Sequence, residues 1–297
     1  MVTTTTAPAD ATSGSVTEYD VVPSVDWMEV DDQGLWVRSE PGLVERIDPE
    51  TGTVAAEIQV GGEPCNAMGV GDGSVWTCAG TDVVRLDPVT LRVTDTYPVN
   101  KTYSAGEVPV IGGSAWVLVG DGSSLVPIDT ATDTVGAPIA LPARGTELSG
   151  GPTDVWVISG LDDVVMRIDA ATGQVTAIVD VPSGPVDAAI DDGEVWVVCS
   201  AETVRIDAAT GEVAETFPVG GGSTGGVALT DDTVWVRSEA AFVERIDRAT
   251  GAIVADEHVA EYRSIADRLT SSGDITTGFG AVWTAAYDDA KLFRLEP

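Results

Sequence analysis

Seven tryptophans fall along the chain at a nearly constant interval: Trp36, Trp76, Trp116, Trp156, Trp196, Trp235 and Trp283, separated by 40, 40, 40, 40, 39 and 48 residues. A period of this length holds four short strands, and one such unit cannot bury its own apolar face, so it must stack on copies of itself. The pattern predicts an all-β fold, a seven-bladed β-propeller of four-stranded blades. By length alone 297 residues suggest two domains, but a closed ring of repeats forms one unit of this size. The propeller is expected to occupy residues 16–297. Residues 1–15 are rich in Thr, Ala and Ser with Pro8 and no apolar run, and read as a flexible tether.

The first period shows how a blade is written. Val25 to Val30, Leu35 to Ser39, Leu43 to Asp48 and Thr53 to Val60 alternate or cluster apolar residues as strands do, with turn residues between them. Asp31-Asp32, Gly71-Asp72, Asp191-Asp192 and Asp231-Asp232 are expected to close the first hairpin of their blades. The second hairpin has its own phrase, Asp48-Pro-Glu-Thr-Gly52, repeated from Asp169, Asp207 and Asp247 and degraded in blades two and three, where it ends in Leu91 and Asp133. Asp and Thr side chains bond nearby amides in such turns, and Gly takes the positive φ. An arginine precedes the turn aspartate by two residues at Arg46, Arg85, Arg167, Arg205, Arg245 and Arg294. A residue carried by the repeat has a structural task, expected to be bridging to acids on a neighbouring strand, and the tryptophans are expected to pack between blades. After Trp283 only Lys291 to Leu295 remains as a strand, so the seventh blade lacks a member. Val16 to Val22 supplies that pattern, and both chain ends should build the last blade and close the ring.

Forty-eight acids face fifteen bases, a net charge of −33 with only Lys101 and Lys291 as lysines. Such a surface repels phosphate backbones and anionic lipid, which argues against nucleic-acid and membrane-surface partners. It suits cations, basic ligands or solubility in salt. No apolar run is long enough to span a membrane. The Thr-rich start resembles the tether that follows the lipidated cysteine of exported lipoproteins. An extracytoplasmic location, secreted or lipid-anchored, is therefore expected, with a cytoplasmic one left open.

The repeat phrases, Gly-x-x-x-Trp-Val, then Val-x-Arg-Ile-Asp-x-x-Thr-Gly-x-Val, then Val-Gly-Gly-x-Pro, resemble those of the YncE-like (YVTN) and streptogramin (virginiamycin B) lyase-like propellers over residues 16–297. The resemblance implies the fold; its activities range over lyases, hydrolases, sensors and binding modules. Streptogramin lyases carry catalytic histidines near the channel with a magnesium ion. The single histidine here, His258, is expected on the outer strand of blade six, not at an inner-strand start, and matches none of them.

Propeller ligands bind where inner strands begin. Counting nine or ten residues back from each tryptophan gives Asp26, Asn66, Glu107, Glu147, Asp187, Gly226 and Asp274. Five carboxylates and an amide at one channel mouth are costly unless something neutralises them. Three occupants compete: a calcium or magnesium ion held by Asn66, Glu107, Glu147 and Asp187; a cationic or polyhydroxylated small ligand; or water, with Arg144, Arg263 or Arg268 neutralising the acids. The metal reading allows a hydrolase or lyase by analogy with calcium-dependent lactone and phosphotriester hydrolases. No organic cofactor is expected. Glu261 to Leu269 forms an insertion before Asp274 that could lid the mouth and bring Arg263 and Arg268 to a ligand. Arg38, Glu40, Asp121, Asp162, Arg237, Glu239, Tyr287 and Asp288 are placed on the other blade tops.

Cys65 and Cys78 bracket the Gly71-Asp72 turn symmetrically and are expected to face each other, as a disulfide or as two thiols. Cys199 reads as a small buried hydrophobe. The sequence thus predicts a binding or scaffold module that recognises a small molecule, cation or protein at its top face, with a monomer favoured and the oligomeric state left open. The alternative is a metal-dependent hydrolase or lyase at the same site.

Overall fold

The computed structural model describes residues 15–21, 24–39, 42–62, 67–101, 106–191, 193–219, 223–238, 242–257, 274–286 and 290–297, without the side chains of Asp26, Ser223, Thr224 and Phe242. The tether, Asn66, Cys65, His258 and the insertion with Arg263 and Arg268 lie outside them. The described residues form seven antiparallel sheets, each a blade, and the chain is a seven-bladed β-propeller. Blade one runs Val25–Asp31, Gly34–Ser39, Leu43–Ile47 and Val54–Gln59, in spatial order from the axis outward. The innermost strands of the other blades are Met68–Gly71, Val110–Ile111, Glu147–Gly150, Asp187–Asp191, Ser223–Leu229 and Ile275–Gly278. These strands touch in turn around the ring, and that of blade seven meets that of blade one. Among the described residues no helix is long and apolar enough to cross a membrane.

The ring closes as the sequence predicts. Val16–Asp20 pairs antiparallel with Lys291–Leu295, from Val16 opposite Leu295 to Asp20 opposite Lys291. The last blade thus takes strands from both chain ends, and one sheet edge that would otherwise stay open is paired. Lys291 Nζ bonds Asp20 Oδ1 at 2.6 Å across the seam. Blade three departs from the pattern. Its outer position is split into Thr134–Val135 and Ile139–Ala140, both paired to Ser124–Asp129, around a Gly136-Ala137-Pro138 break.

Each repeat tryptophan sits on the second strand and is at most 2 % exposed. Directly opposite on the third strand stands the repeat arginine: Trp36 pairs with Arg46, Trp76 with Arg85, Trp156 with Arg167, Trp196 with Arg205, Trp235 with Arg245 and Trp283 with Arg294. In these six blades the guanidinium carbon lies 4.6–6.0 Å from the indole centroid. In blade three Pro127 occupies the arginine's place opposite Trp116. A cation over an indole contributes about 0.5–2 kcal/mol, so the arginine caps the outer side of each buried ring. The acid bridges expected of these arginines also form, as in Arg167–Asp154 at 2.8 Å and Arg85–Asp133 at 3.1 Å.

The second hairpin turns repeat one device. Asp48 Oδ1 accepts the amides of Glu50 and Thr51 at 2.9 Å, and Asp87, Asp129, Asp169, Asp207 and Asp247 bond their own turns alike. These bonds hold all six carboxyls below their ordinary pKa. The turn closes with a positive φ, 65° at Gly52, and Leu91 and Asp133 adopt it at 58° and 55° where glycine is missing. Asp133 has a reason to be there: its Oδ1 receives Arg85 Nη1 and, at 2.7 Å, Tyr97 Oη.

The expected cysteine register is corrected by two residues. Gly71 pairs with Ser74 and Met68 with Thr77, so Ala67, whose amide is 3.3 Å from Cys78 Sγ, lies across from Cys78. The turn is Asp72-Gly73, both with positive φ, and its glycine moves the hairpin axis by one position. Cys78 is disulfide-bonded. Cys199 is a buried free thiol whose pKa burial pushes up to about 12. Denatured but unreduced protein should therefore take one alkylating group and reduced protein three, read by intact mass; three before reduction contradicts the bridge.

A second prediction concerns ring closure. A Cβ on Gly52 would meet the Tyr19 ring of blade seven at 1.9 Å, whereas one on Gly73, at a similar φ of 68°, meets nothing within 4 Å. Gly73→Ala should cost about 1 kcal/mol from backbone strain alone. Gly52→Ala should cost about 2–4 kcal/mol, because overpacking against the closing strand adds to the strain. Denaturant midpoints of the two variants test this, and equal losses would contradict it.

Candidate functional site

The inner-strand acids do gather about the axis, and backbone amides hold them there. Glu147 Oε1 accepts the amide of Leu148 at 2.9 Å and that of Glu107, in the neighbouring blade, at 2.6 Å. Asp187 repeats the arrangement with Ala188 at 2.8 Å and Val227 of blade six at 2.9 Å. Asp274 takes Ile275 at 2.7 Å and Met28 of blade one at 3.0 Å. Each of the three carboxylates therefore stitches two blades across the inner end of their interface. The innermost strand has no partner on its channel side, and these acids satisfy donors that the sheets leave over.

Blade six has Gly226 at the acid position. An added Cβ there would lie 3.2 Å from both Asp187 Oδ2 and Asp274 Oδ1 and 2.9 Å from Ile275 Cγ2. The missing side chain lets two carboxylates approach from either side. Asn66 lies outside the described residues, as does the side chain of Asp26.

Two members of the site were missed in the sequence. Glu29 raises, and is raised by, its acidic neighbours: burial first, then Asp274 and Asp187, pushes its carboxyl up to about 8. It pairs with Trp36 across the first hairpin, a column that holds Gly69, Ser149, Ala189, Ala228 and Thr276 in other blades. A lone charge in that column, seven residues before the tryptophan, is the signal that could have found it. Lys101 is the other. It is wholly buried, donates from Nζ to Leu118 O at 3.3 Å, and lies in the field of Glu147. Burial lowers its pKa to about 8, with Glu147 opposing the shift.

The electrostatics follow from crowding like charges about the axis in a half-buried setting. Burial, then the repulsion of Glu29, Asp187, Glu147 and Asp274, raises the Glu107 carboxyl well above its usual range. Burial raises Glu147 likewise, with Asp187 adding and the two amides and Lys101 opposing. Asp187 is pushed up to about 6 by burial, against the pull of its two amide bonds. Protons are therefore part of this site at neutral pH.

Glu107 forms one wall of a cavity of about 400 Å³ that runs beside the inner strands of blades four to seven. Ser149, Asp191, Thr230, Asp231 and Thr276 also line it. Arg144, expected as a neutraliser of the channel, is instead on the surface, bonded to Asp121 O at 2.8 Å and near its carboxylate. Arg38 and Arg237, expected on blade tops, are 1 % and 0 % exposed. Arg237 Nη1 bonds Thr284 Oγ1 at 2.7 Å and Ala285 O at 2.6 Å, clamping blade six to blade seven. Among the described residues, blades one and six carry a buried arginine on the second strand and a buried glutamate, Glu45 or Glu244, on the third. Burial, then Glu57, raises Glu45 to about 6.

The chemistry of the donor set bears on a metal ion. Calcium needs six to eight oxygens, yet Glu147, Asp187 and Asp274 already spend lone pairs on two amides each. Among the described residues no three acids, cysteines or histidines stand close enough to hold an ion. Asn66, the fourth member of the expected set, lies outside them. The described residues do not fit a calcium or magnesium cage, and no hydrolytic step follows through one.

A raised carboxyl pKa has a definite sign in stability. Between the unfolded and folded values the folded protein holds the extra proton, so stability falls as pH rises through that window, which for Glu29 and Asp187 runs from about pH 4 to about pH 8. Lys101, lowered to about 8, acts oppositely above that pH, and the turn aspartates lose their contribution below about pH 4. The melting temperature should peak near pH 5 and fall toward pH 8, a loss on the order of a few kcal/mol. Glu29→Gln should flatten the descent. A melting temperature that rises steadily from pH 5 to pH 8 contradicts the assignment.

No family model and no curated protein matches the chain. Solved structures do. BamB from Moraxella catarrhalis superimposes with a TM-score of 0.67 at 15 % identity, over 94 % of this chain and 98 % of that one. The computationally designed Ika8 protein gives 0.70 at 13 % identity, over 93 % and 96 %. The Pan2 WD40 domain from Neurospora crassa gives 0.74 at 9 % identity, over 92 % and 88 %. At such identities the likeness is one of fold alone, that of a β-propeller.

Proposed function

We propose that this propeller is an extracytoplasmic binding or scaffold module whose acid-lined channel recognises a small cationic ligand or the basic group of a protein partner. One observation carries the reading. Glu29, Glu107, Glu147, Asp187 and Asp274 sit within each other's field around one axis, beside a polar cavity that contains no arginine or lysine in its lining. A cation entering there removes repulsion that protons and Lys101 otherwise relieve. A net charge of −33 steers such a ligand inward. The repeat phrases support a place among YncE-like or streptogramin-lyase-like propellers, and the Thr-rich start supports export; both belong to this proposal. Calcium and magnesium, for which the described residues offer no cage, serve as comparison cations beside organic amines.

The test is a melting-temperature screen at pH 8 and low salt against calcium, magnesium, guanidinium and aliphatic amines. At least one cation should raise the melting temperature saturably, and Glu107→Gln should reduce that response about tenfold or more in affinity, a loss of about 1.4 kcal/mol. If no cation stabilises the protein beyond its effect on ionic strength, the reading fails.

A further inference from the structure

Each blade presents an outer strand that, among the described residues, is paired on its inner side alone. Such an edge offers amides and carbonyls to any other strand, and folded proteins blunt it with a charge, a proline or a break. Six blades do so. Glu57 stands in the outer strand of blade one, Asp95 in that of blade two, and Glu215 and Pro218 in that of blade five. Asp256 serves blade six, and Glu18 and Asp20 serve blade seven. Blade three has no charge there, but its outer position is broken around Pro138 into pieces of two residues.

Blade four is the exception. Its outer strand, Val175–Asp180, is unbroken and reads Val-Thr-Ala-Ile-Val before the final aspartate. Ile178 is 53 % exposed. The β-bulge beside the repeat arginine does not set this edge apart, since blades one, two, five and six carry it too. Val181 N bonds Asp163 O at 3.0 Å, so along the ladder Val179 turns its backbone groups inward, and Ile178 and Asp180 turn theirs outward. Ile178 pairs with Met166 and shares its face of the sheet. On that face Ile139, Leu141 and Ala143 of blade three pack against the cluster that holds Met166. They belong to residues 134–143, a run without charge in which Val135 is 38 % exposed. An apolar edge and an apolar strip thus adjoin on a chain of net charge −33. Single exposed apolar residues are ordinary, whereas a contiguous set marks an interface.

The charge pattern selects the occupant. A two-fold axis lays an outer edge antiparallel against its own copy. On the other unbroken edges the mid-strand acids of the two copies would then crowd together, and like charges facing across a sheet repel. With the axis at Ile178, that residue faces its own counterpart, and Ala177 faces Val179 of the partner subunit. Asp180 faces Thr176 of the partner subunit, so no like charges are opposed.

We infer that a second copy of this chain covers the edge: the propeller forms a two-fold dimer in which the outer strands of blade four pair antiparallel about Ile178, flanked by residues 134–143 of each subunit. The two blades then form one continuous sheet. The strand edge alone falls short of the roughly 1,200 Å² that stable interfaces bury, so the dimer belongs to the weak class, with dissociation on the order of 1–100 μM. Salt strengthens it by screening the repulsion of two acidic chains. The interface lies on the rim of the ring, away from the channel, and does not rest on the cation reading.

Sedimentation equilibrium of the whole chain tests this. Between about 1 and 500 μM the mass should rise from 30.6 kDa toward twice that value, and added salt should move the rise to lower concentration. Ile178→Glu, which gives blade four an acid like that of blade one, should weaken association about tenfold or more. Val54→Glu, on the outer strand of blade one, should leave it unchanged. Both residues are exposed, and circular dichroism checks that each variant folds. Ile178→Cys should cross-link into a covalent dimer under mild oxidation, and Val93→Cys, on the outer strand of blade two, should not. A chain that stays at 30.6 kDa throughout, at every salt concentration, overturns the proposal. A dimer indifferent to Ile178→Glu overturns it too, since its interface lies elsewhere.

Discussion

Carboxylates crowded about one axis should repel one another apart, and the propeller holds them because the backbone points amides at them. Every inner strand leaves one edge unpaired toward the channel. Asp187 and Asp274 each cap the first amide of their own strand and one from the next blade, and Glu147 does so with the preceding blade. The acids are thus first a solution to a hydrogen-bonding problem created by ring closure. Their electrostatic cost is the consequence, relieved by protons, by Lys101 and by whatever cation enters.

That axis exists only because the blades pack at fixed spacing. The tryptophan of each repeat, capped by the arginine directly across the sheet in six blades, fills the wedge between neighbours. The seam between Val16–Asp20 and Lys291–Leu295 then fixes the circumference. Tyr19, from that closing strand, stacks on Trp283 with ring centroids 6.0 Å apart and lies against Gly52 of blade one. The closing strand of blade seven is thus packed against the outer hairpin turn of blade one.

The sequence made the ring readable because tryptophan is large, rare and placed by packing alone, so its period survives where other columns drift. The seam was readable for a related reason: a strand missing at one end and surplus at the other has only one closed solution. The inner-strand acids were found by counting from that same landmark. Glu29 escaped because it lies in a different column, opposite Trp36, where small residues stand in most other blades. Arg38 and Arg237 were read as surface groups because charge on a loop-proximal strand end is commonly solvated. Their burial depends on Thr284 and Ala285 of the adjacent blade in the case of Arg237, a contact between separate repeats that one repeat's pattern does not encode. The cysteine register slipped because Asp72 accepts a positive φ and the turn moved onto Asp72-Gly73.

Proton occupancy around the axis is the point on which stability, ligand charge and pH response all converge. Carbon-13 titration of selectively labelled Asp and Glu carboxyl groups reads it directly. The account predicts that Glu29 titrates near pH 8 and Asp187 near pH 6, apart from the turn aspartates, which titrate below the ordinary aspartate range. If every carboxyl completes its titration below about pH 5, the axial acids are solvated and separate, and the structure's central electrostatic claim is wrong.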